Sequence, residues 1–158
     1  MAETGASAVG RWFVGTGSAP GLHVEGNPNQ DAAGFATAGD SIVIAVADGH
    51  SGARHFRSDR GARFAVDSAC EAGAELAAEL DGLGNIEELI ELVNKRLLPE
   101  VVDRWEERVA VDVSEDPFPG DGTALGGRAD AVVPYGSTLL MALVSPVWAV
   151  AAQVGDGD

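Results

Sequence analysis

Cysteine, lysine and positive charge are all scarce in this 158-residue chain, and each scarcity excludes a class of function. The single cysteine, Cys70, rules out an intramolecular disulfide framework and any zinc cluster built on several thiolates. Its neighbours, "DSACEAG", are small and helix-favouring, so a buried structural thiol is expected there rather than a reactive one. No stretch approaches 18 consecutive apolar residues, so no membrane partner is expected. The start, "MAETGASAVGRWFVG", has neither the basic opening nor the long apolar run of a signal peptide, so a cytoplasmic location is expected. Ten basic residues against 25 acidic ones give a net charge of −15, which argues against nucleic acid. That surplus suits cation binding, although most of it is ordinary solvated surface. Lys95 is the only lysine. With arginine in its place and abundant Ala and Gly, the composition fits a high-GC bacterial gene.

What is present is enough for one domain over residues 1–158, with 46% apolar residues to build a core. The first third reads as short strands with turns: "RWFVG" (11–15), "DAAGFATAG" (31–39) and an apolar run from Ser41 to Ala47. From about Asp59 the period changes to helical. "DRGARFAVDSACEAGAELAAEL" gives one amphipathic helix. "NIEELIELVNKRLLPEVVDRWEERVA" gives a second, with Ile86, Leu89, Ile90, Val93 and Leu97 on one face and Pro99 marking a break or restart. Residues 112–134 are rich in Gly, Pro and Asp and read as an exposed excursion. Residues 137–155 then form a buried hairpin turned at Ser145-Pro146. Strands, two helices, then strands favour an α+β fold with helices on a mainly antiparallel sheet over a wound parallel one.

Two apolar strands end alike, "IVIAVADG" at Asp48-Gly49 and "VWAVAAQVGDGD" at Gly155 to Asp158. An Asp-Gly step is a common hairpin turn. Two such ends side by side in a sheet would instead present Asp48 and Asp156 together, with Asp31 nearby where strand pattern resumes. Clustered carboxylates repel unless a cation neutralises them, and oxygen-only ligands favour Mg2+, Mn2+ or Ca2+ over zinc. Spacing alone leaves open a metal site or three unrelated turn aspartates.

The motifs "NPNQDAAGF" (27–35), "VADGHSG" (46–52) and "YGSTLLMALV…AAQVGDGD" (135–158), in that order and separated by helices, resemble the metal-dependent protein phosphatases of the PPM, or type 2C, family. "GLHVEGNPNQDA" and "SDRGARFAV" are similar to a bacterial branch of it. The resemblance implies an antiparallel β-sandwich flanked by helices and a dinuclear Mg2+ or Mn2+ centre. In it Asp48 would bridge both ions, the Gly49 carbonyl would ligate one, Asp31 would act through metal-bound water and Asp156 would serve an accessory position. Asp31 and Asp48 would be the catalytic pair. The implied reaction is hydrolysis of phosphoserine or phosphothreonine in a protein substrate by a metal-activated water.

Three features depart from that family's pattern. Gln30 stands where many relatives carry Glu, and Gly26 where many carry a phosphate-gripping Arg, for which His23, Arg54 or Arg57 would have to compensate. The family also continues beyond its Gly-Asp motif to two further ligand aspartates, so residues 1–158 are expected to be an incomplete, N-terminal part. The rival readings are a non-catalytic phosphatase-like regulatory or binding module, and a calcium-binding or structural domain. The row Arg54, Arg57, Arg60 and Arg63 either balances local acid or grips a phosphorylated segment. His50 and His55 read as surface or phosphate-side residues, and Trp12, Trp105 and Trp148 as packing residues.

Overall fold

A segment of mostly small residues and the apolar run after it form the first hairpin of the main sheet: β3, Asp31–Ala38, and β4, Ser41–Asp48. Gly39, at φ 57°, supplies the left-handed residue of the turn between them. The computed structural model describes residues 3–9, 12–19, 28–80, 85–118 and 128–155. Before this hairpin, β1 (Glu3–Val9) and β2 (Trp12–Ser18) form a separate two-stranded antiparallel sheet. After it comes a helical stretch, and then β5 (Leu139–Val144) and β6 (Ala149–Val154) complete a four-stranded antiparallel sheet of order β3-β4-β5-β6. The α+β class and the antiparallel sheets with flanking helices follow the sequence reading. No helix among the described residues is long and apolar enough to cross a membrane.

The sheet has one covered and one open face. Val43, Ala45 and Ala47 of β4 and Leu139, Met141 and Leu143 of β5 point into the core. The alternate residues Val46 and Leu140, paired across the sheet, remain 44% and 43% exposed. Against the covered face lies α1, Ser58–Glu79, whose sheet side is built from small residues: Ala62, Ala65, Ala69, Ala72 and Gly73. A Cβ on Gly73 would come within 2.8 Å of Val43, and one on Gly34 within 2.6 Å of Val66. Small residues on both sides thus let helix and sheet approach closely. Cys70 sits in this seam as a free, buried thiol, and burial, aided by Asp67 and Glu71, pushes its pKa up to about 12.

The second helical segment contains α2 (Ile86–Leu92), a π-helical turn at Val93–Leu97, and α3 (Leu98–Glu115). Asn85 caps α2 by accepting from the Glu88 amide at 2.7 Å. The expected break at Pro99 takes the form of that π turn. Proline has no N–H to give, and its ring crowds the carbonyl four residues back, so the preceding turn widens instead of the helix ending. The buried stripe is narrower than expected: Leu89, Val93, Leu97 and Val101 are buried, but Ile86 and Ile90 are about half exposed. Residues four apart drift by about 40° per step in a regular α-helix, and the wide turn offsets that drift.

Two further differences lie at the sequence-predicted excursion. Its first residue, Asp112, belongs to α3, and its end is buried, because Val133–Tyr135 forms a short 3-10 turn with Pro134 and Tyr135 inside. A short helix, α4 (Arg128–Ala131), precedes that turn. At the other end of the chain β2 runs on to Ser18, past the strand end expected at Gly15. The hairpin of β5 and β6 turns at Ser145 as expected. The Ser145 hydroxyl accepts from the Val147 and Trp148 amides, at 3.2 and 3.1 Å.

A cluster of charge joins α1, α3 and the 3-10 turn. Arg57, 7% exposed, donates through Nη1 to Asp112 (3.2 Å) and to the Tyr135 hydroxyl (2.7 Å), and pairs with Asp116 at 3.2 Å. Arg60 contacts the same two acids. Burial raises the Asp112 carboxyl, but the Tyr135 hydroxyl and the Arg60 and Arg57 charges outweigh it and hold the group below its ordinary value. The stabilisation is therefore present above about pH 3.8, the ordinary aspartate value, and is lost as pH falls further. Asp112→Ala is expected to cost about 3 kcal/mol near neutral pH, read as a lower urea midpoint. The gap between variant and wild type is expected to close below that pH, and equal midpoints at pH 7 would count against the cluster.

Candidate active site

The two strands of the first hairpin end together, and each brings a carboxylate. Asp31 opens β3, Asp48 closes β4, and the register pairs the two residues directly across the ladder. Both are exposed on the uncovered face of the sheet, at an open cleft of about 810 Å3 whose lining includes Gly49, His50, Ser51 and Thr138. Burial, then the Asp48 charge and a hydrogen bond with Asp48, raise the Asp31 carboxyl above its ordinary value. The pair thus holds negative charge that only a proton or a cation relieves.

Backbone contacts fix both residues. The Asp31 amide donates to Asn29 Oδ1 (3.3 Å), Asn29 Nδ2 donates to Ser18 Oγ (2.6 Å), and Ser18 Oγ donates to the Asp31 carbonyl (3.3 Å), so the start of β3 is tied to the end of β2. The Asp48 carbonyl accepts from the Thr138 amide (2.9 Å), and the Gly49 amide donates to the Gln30 carbonyl (3.0 Å). Gly49 is buried, and a Cβ there would stand 2.7 Å from the Ser58 carbonyl oxygen and 2.8 Å from that of Gln30. Only glycine fits this corner. Asp48-Gly49 is therefore not a hairpin turn. The chain instead leaves the sheet there and enters α1.

Among the sequence-predicted residues the structure brings together Asp31, Asp48 and Gly49. Asp156 and His23 lie outside the described residues, as does Gly26. Strands β4 and β6 are not neighbours as envisaged from their matching ends, because β5 lies between them. Gln30 turns its amide to Ser58 Oγ (2.6 Å) and the His50 carbonyl (3.4 Å). Arg54 is exposed, whereas Arg57, also offered by the sequence as a phosphate contact, is buried and engaged by Asp112, Asp116 and Tyr135. His50 lines the cleft, and His55 contacts the Val133 carbonyl through Nδ1 at 2.8 Å. The support from Ser18, Asn29 and Thr138 escaped the sequence reading, since single hydroxyl and amide residues in loops carry no pattern of their own.

A model of the protein phosphatase 2C family matches residues 21–158, nearly the whole described site included. The chain belongs to the protein phosphatase 2C family. No curated protein and no solved structure matches it significantly. The phosphatase 2C assignment gives the carboxylate pair a context, because divalent Mg2+ or Mn2+ generally serves that family. Two facing carboxylates supply the oxygen ligands that such an ion takes. Among the described residues no cluster of three or more His, Cys, Asp or Glu side chains gathers.

A raised aspartate pKa favours the protonated folded state, so Asp31 makes the metal-free protein lose stability as pH rises through that value. Asp31→Asn is expected to flatten this slope above pH 4 without lowering the metal-free melting temperature at pH 7. Mn2+ at about a hundredfold over its Kd is expected to raise the wild-type melting temperature by roughly 5–10 °C and to leave Asp48→Asn unmoved. Equal shifts in both proteins, followed by differential scanning fluorimetry, would show that the ion binds elsewhere.

Proposed function

We propose that the chain is a metal-dependent serine/threonine phosphatase domain acting on phosphorylated proteins. The observation that carries this reading is the facing Asp31 and Asp48 pair at an open cleft, in a member of the protein phosphatase 2C family. In this reading Asp48 and the Gly49 carbonyl hold Mg2+ or Mn2+, with Asp31 beside them and Asp156 serving an accessory position. Cations held there supply an activated water and offset charge on the phosphoryl oxygens.

The remaining work falls to the chain itself. His50 lines the cleft two residues beyond Asp48, and in this reading it would pass a proton to the leaving serine or threonine oxygen. Arg54, exposed on the same loop, is the arginine free of the Asp112 cluster to meet the phosphorylated segment. An open cleft suits an extended polypeptide better than an enclosed small molecule. Cys70, buried behind the sheet with its thiol protonated, takes no part.

One observation favours a second reading. Gln30 spends its amide on Ser58 and His50 and brings no charge to the pair, which suits a domain that binds a phosphoprotein without hydrolysing it. Turnover of a phosphothreonine peptide in Mn2+ separates the two readings. The enzymatic reading expects hydrolysis that stops on chelation and falls by at least about 100-fold in Asp48→Ala. Mn2+ binding without turnover would favour the regulatory module, and unaltered turnover in Asp48→Ala would sink the proposed site.

A further inference from the structure

Gly49 rests on Ser58, and Ser58 follows Arg57. This short connection links the candidate metal site to the charge cluster on the far side of α1. We propose that Arg57 is a positioning residue for the Asp48–Gly49 corner, holding it through the first residue of α1 rather than by touching substrate. The proposal rests on the metal-site reading for its consequence and on the geometry alone for its mechanics.

The loop from Gly49 to Arg57 hangs at both ends from residues 134–136. The His50 amide donates to the Gly136 carbonyl at 2.9 Å, and the Arg57 amide donates to the Pro134 carbonyl at 3.0 Å. The Arg57 guanidinium then closes the connection, reaching the Tyr135 hydroxyl, Asp112 and Asp116 at once. Its plane is also packed over the Phe118 ring, at 4.8 Å from the centroid. Tyr135 has no room to shift toward the helix, because its carbonyl oxygen stands 1.8 Å from where a Cβ on Gly61 would be. One residue on from Arg57, the Ser58 hydroxyl takes the Gln30 amide at 2.6 Å, and the Ser58 carbonyl backs Gly49. A displacement at Arg57 therefore reaches Gly49 and Gln30 across a single peptide unit.

The choice of residue is chemical. A guanidinium is a rigid fork able to satisfy three partners in fixed directions, whereas an ammonium offers charge without that fork. Arg57→Lys thus keeps the charge and removes the geometry. Arg104, which ties α3 to α1 through Glu75 and bonds Glu100 on its own helix, shows no contact with the corner and makes the matched control, Arg104→Lys.

The test is native-state amide exchange on the metal-free chain together with a Mn2+ titration by calorimetry. In Arg57→Lys the Gly49 and His50 amides are expected to exchange about tenfold faster relative to the Val43 and Ala45 amides in the sheet core. The Mn2+ Kd is expected to rise by about tenfold or more, and Arg104→Lys to change neither quantity. Corner and core amides accelerating together would show a merely stabilising ion pair and overturn the proposal, as would a corner unchanged in exchange. Should Arg57→Lys fail to fold, Tyr135→Phe removes only the hydroxyl partner and carries the same two readouts. A wild-type chain that binds no Mn2+ while its corner still responds to Arg57 would overturn the metal reading and leave the positioning role standing.

Discussion

Two carboxylates held side by side repel, and the register of β3 against β4 commits the chain to that repulsion. Asp31 faces Asp48 because Ala38 faces Ser41, and the Gly39-Asp40 turn sets that pairing. A slip by one residue would turn every side chain of β3 to the other face of the sheet and carry Asp31 away from the cleft. The pairing is protected by what lies behind it. Ala32, Gly34 and Ala36 face the helix layer, where larger side chains have no room, so the register that gathers the charge is the one that packs.

That packing also makes the site rigid. Helix α1 lies near enough to the sheet that glycines at 34 and 73 meet Val66 and Val43 directly, and such interiors yield little to local force. Helix α1 is then tied to the second helical segment by ion pairs on the outer side, Arg104 with Glu75, Arg108 with Glu71 and Arg96 with Glu79. Exposed pairs of this kind stabilise weakly one by one. The buried Arg57 cluster is different in kind, because it joins three elements at a point adjoining the site.

The fold was largely legible in the sequence, since period carries it. Short runs between turn signals marked β3 and β4, the helical period marked the second helix, and Ser145-Pro146 marked the last turn. Asp48 and Asp31 stood out because carboxylates at the tips of apolar strands have no packing reason to be there. The failures have a common cause. Whether Asp112 ends a helix or opens a loop, whether Arg57 faces solvent or Tyr135, and which strand separates β4 from β6 depend on partners more than 20 residues away. Local pattern is blind to such distances. Ile86 and Ile90 share one face with Leu89, Val93 and Leu97 in a regular helix, and the wider turn before Pro99 shifts that face.

The acidity of the chain constrains how a phosphorylated substrate is held. A phosphate dianion approaching a molecule of net charge −15 gains nothing from long-range attraction. The row of arginines after Asp48 seems at first to provide it, yet Arg57 and Arg60 are neutralised by Asp112 and Asp116, and Arg63 is likewise engaged. Arg54, exposed on the loop beyond His50, stands outside that cluster. On the proposed reading, attraction for phosphate would then come mainly from cations at the Asp31 and Asp48 pair. In the proposed enzyme, substrate affinity and cation occupancy would therefore be one linked quantity, because the cation that relieves the carboxylate repulsion is also the group that attracts the phosphate.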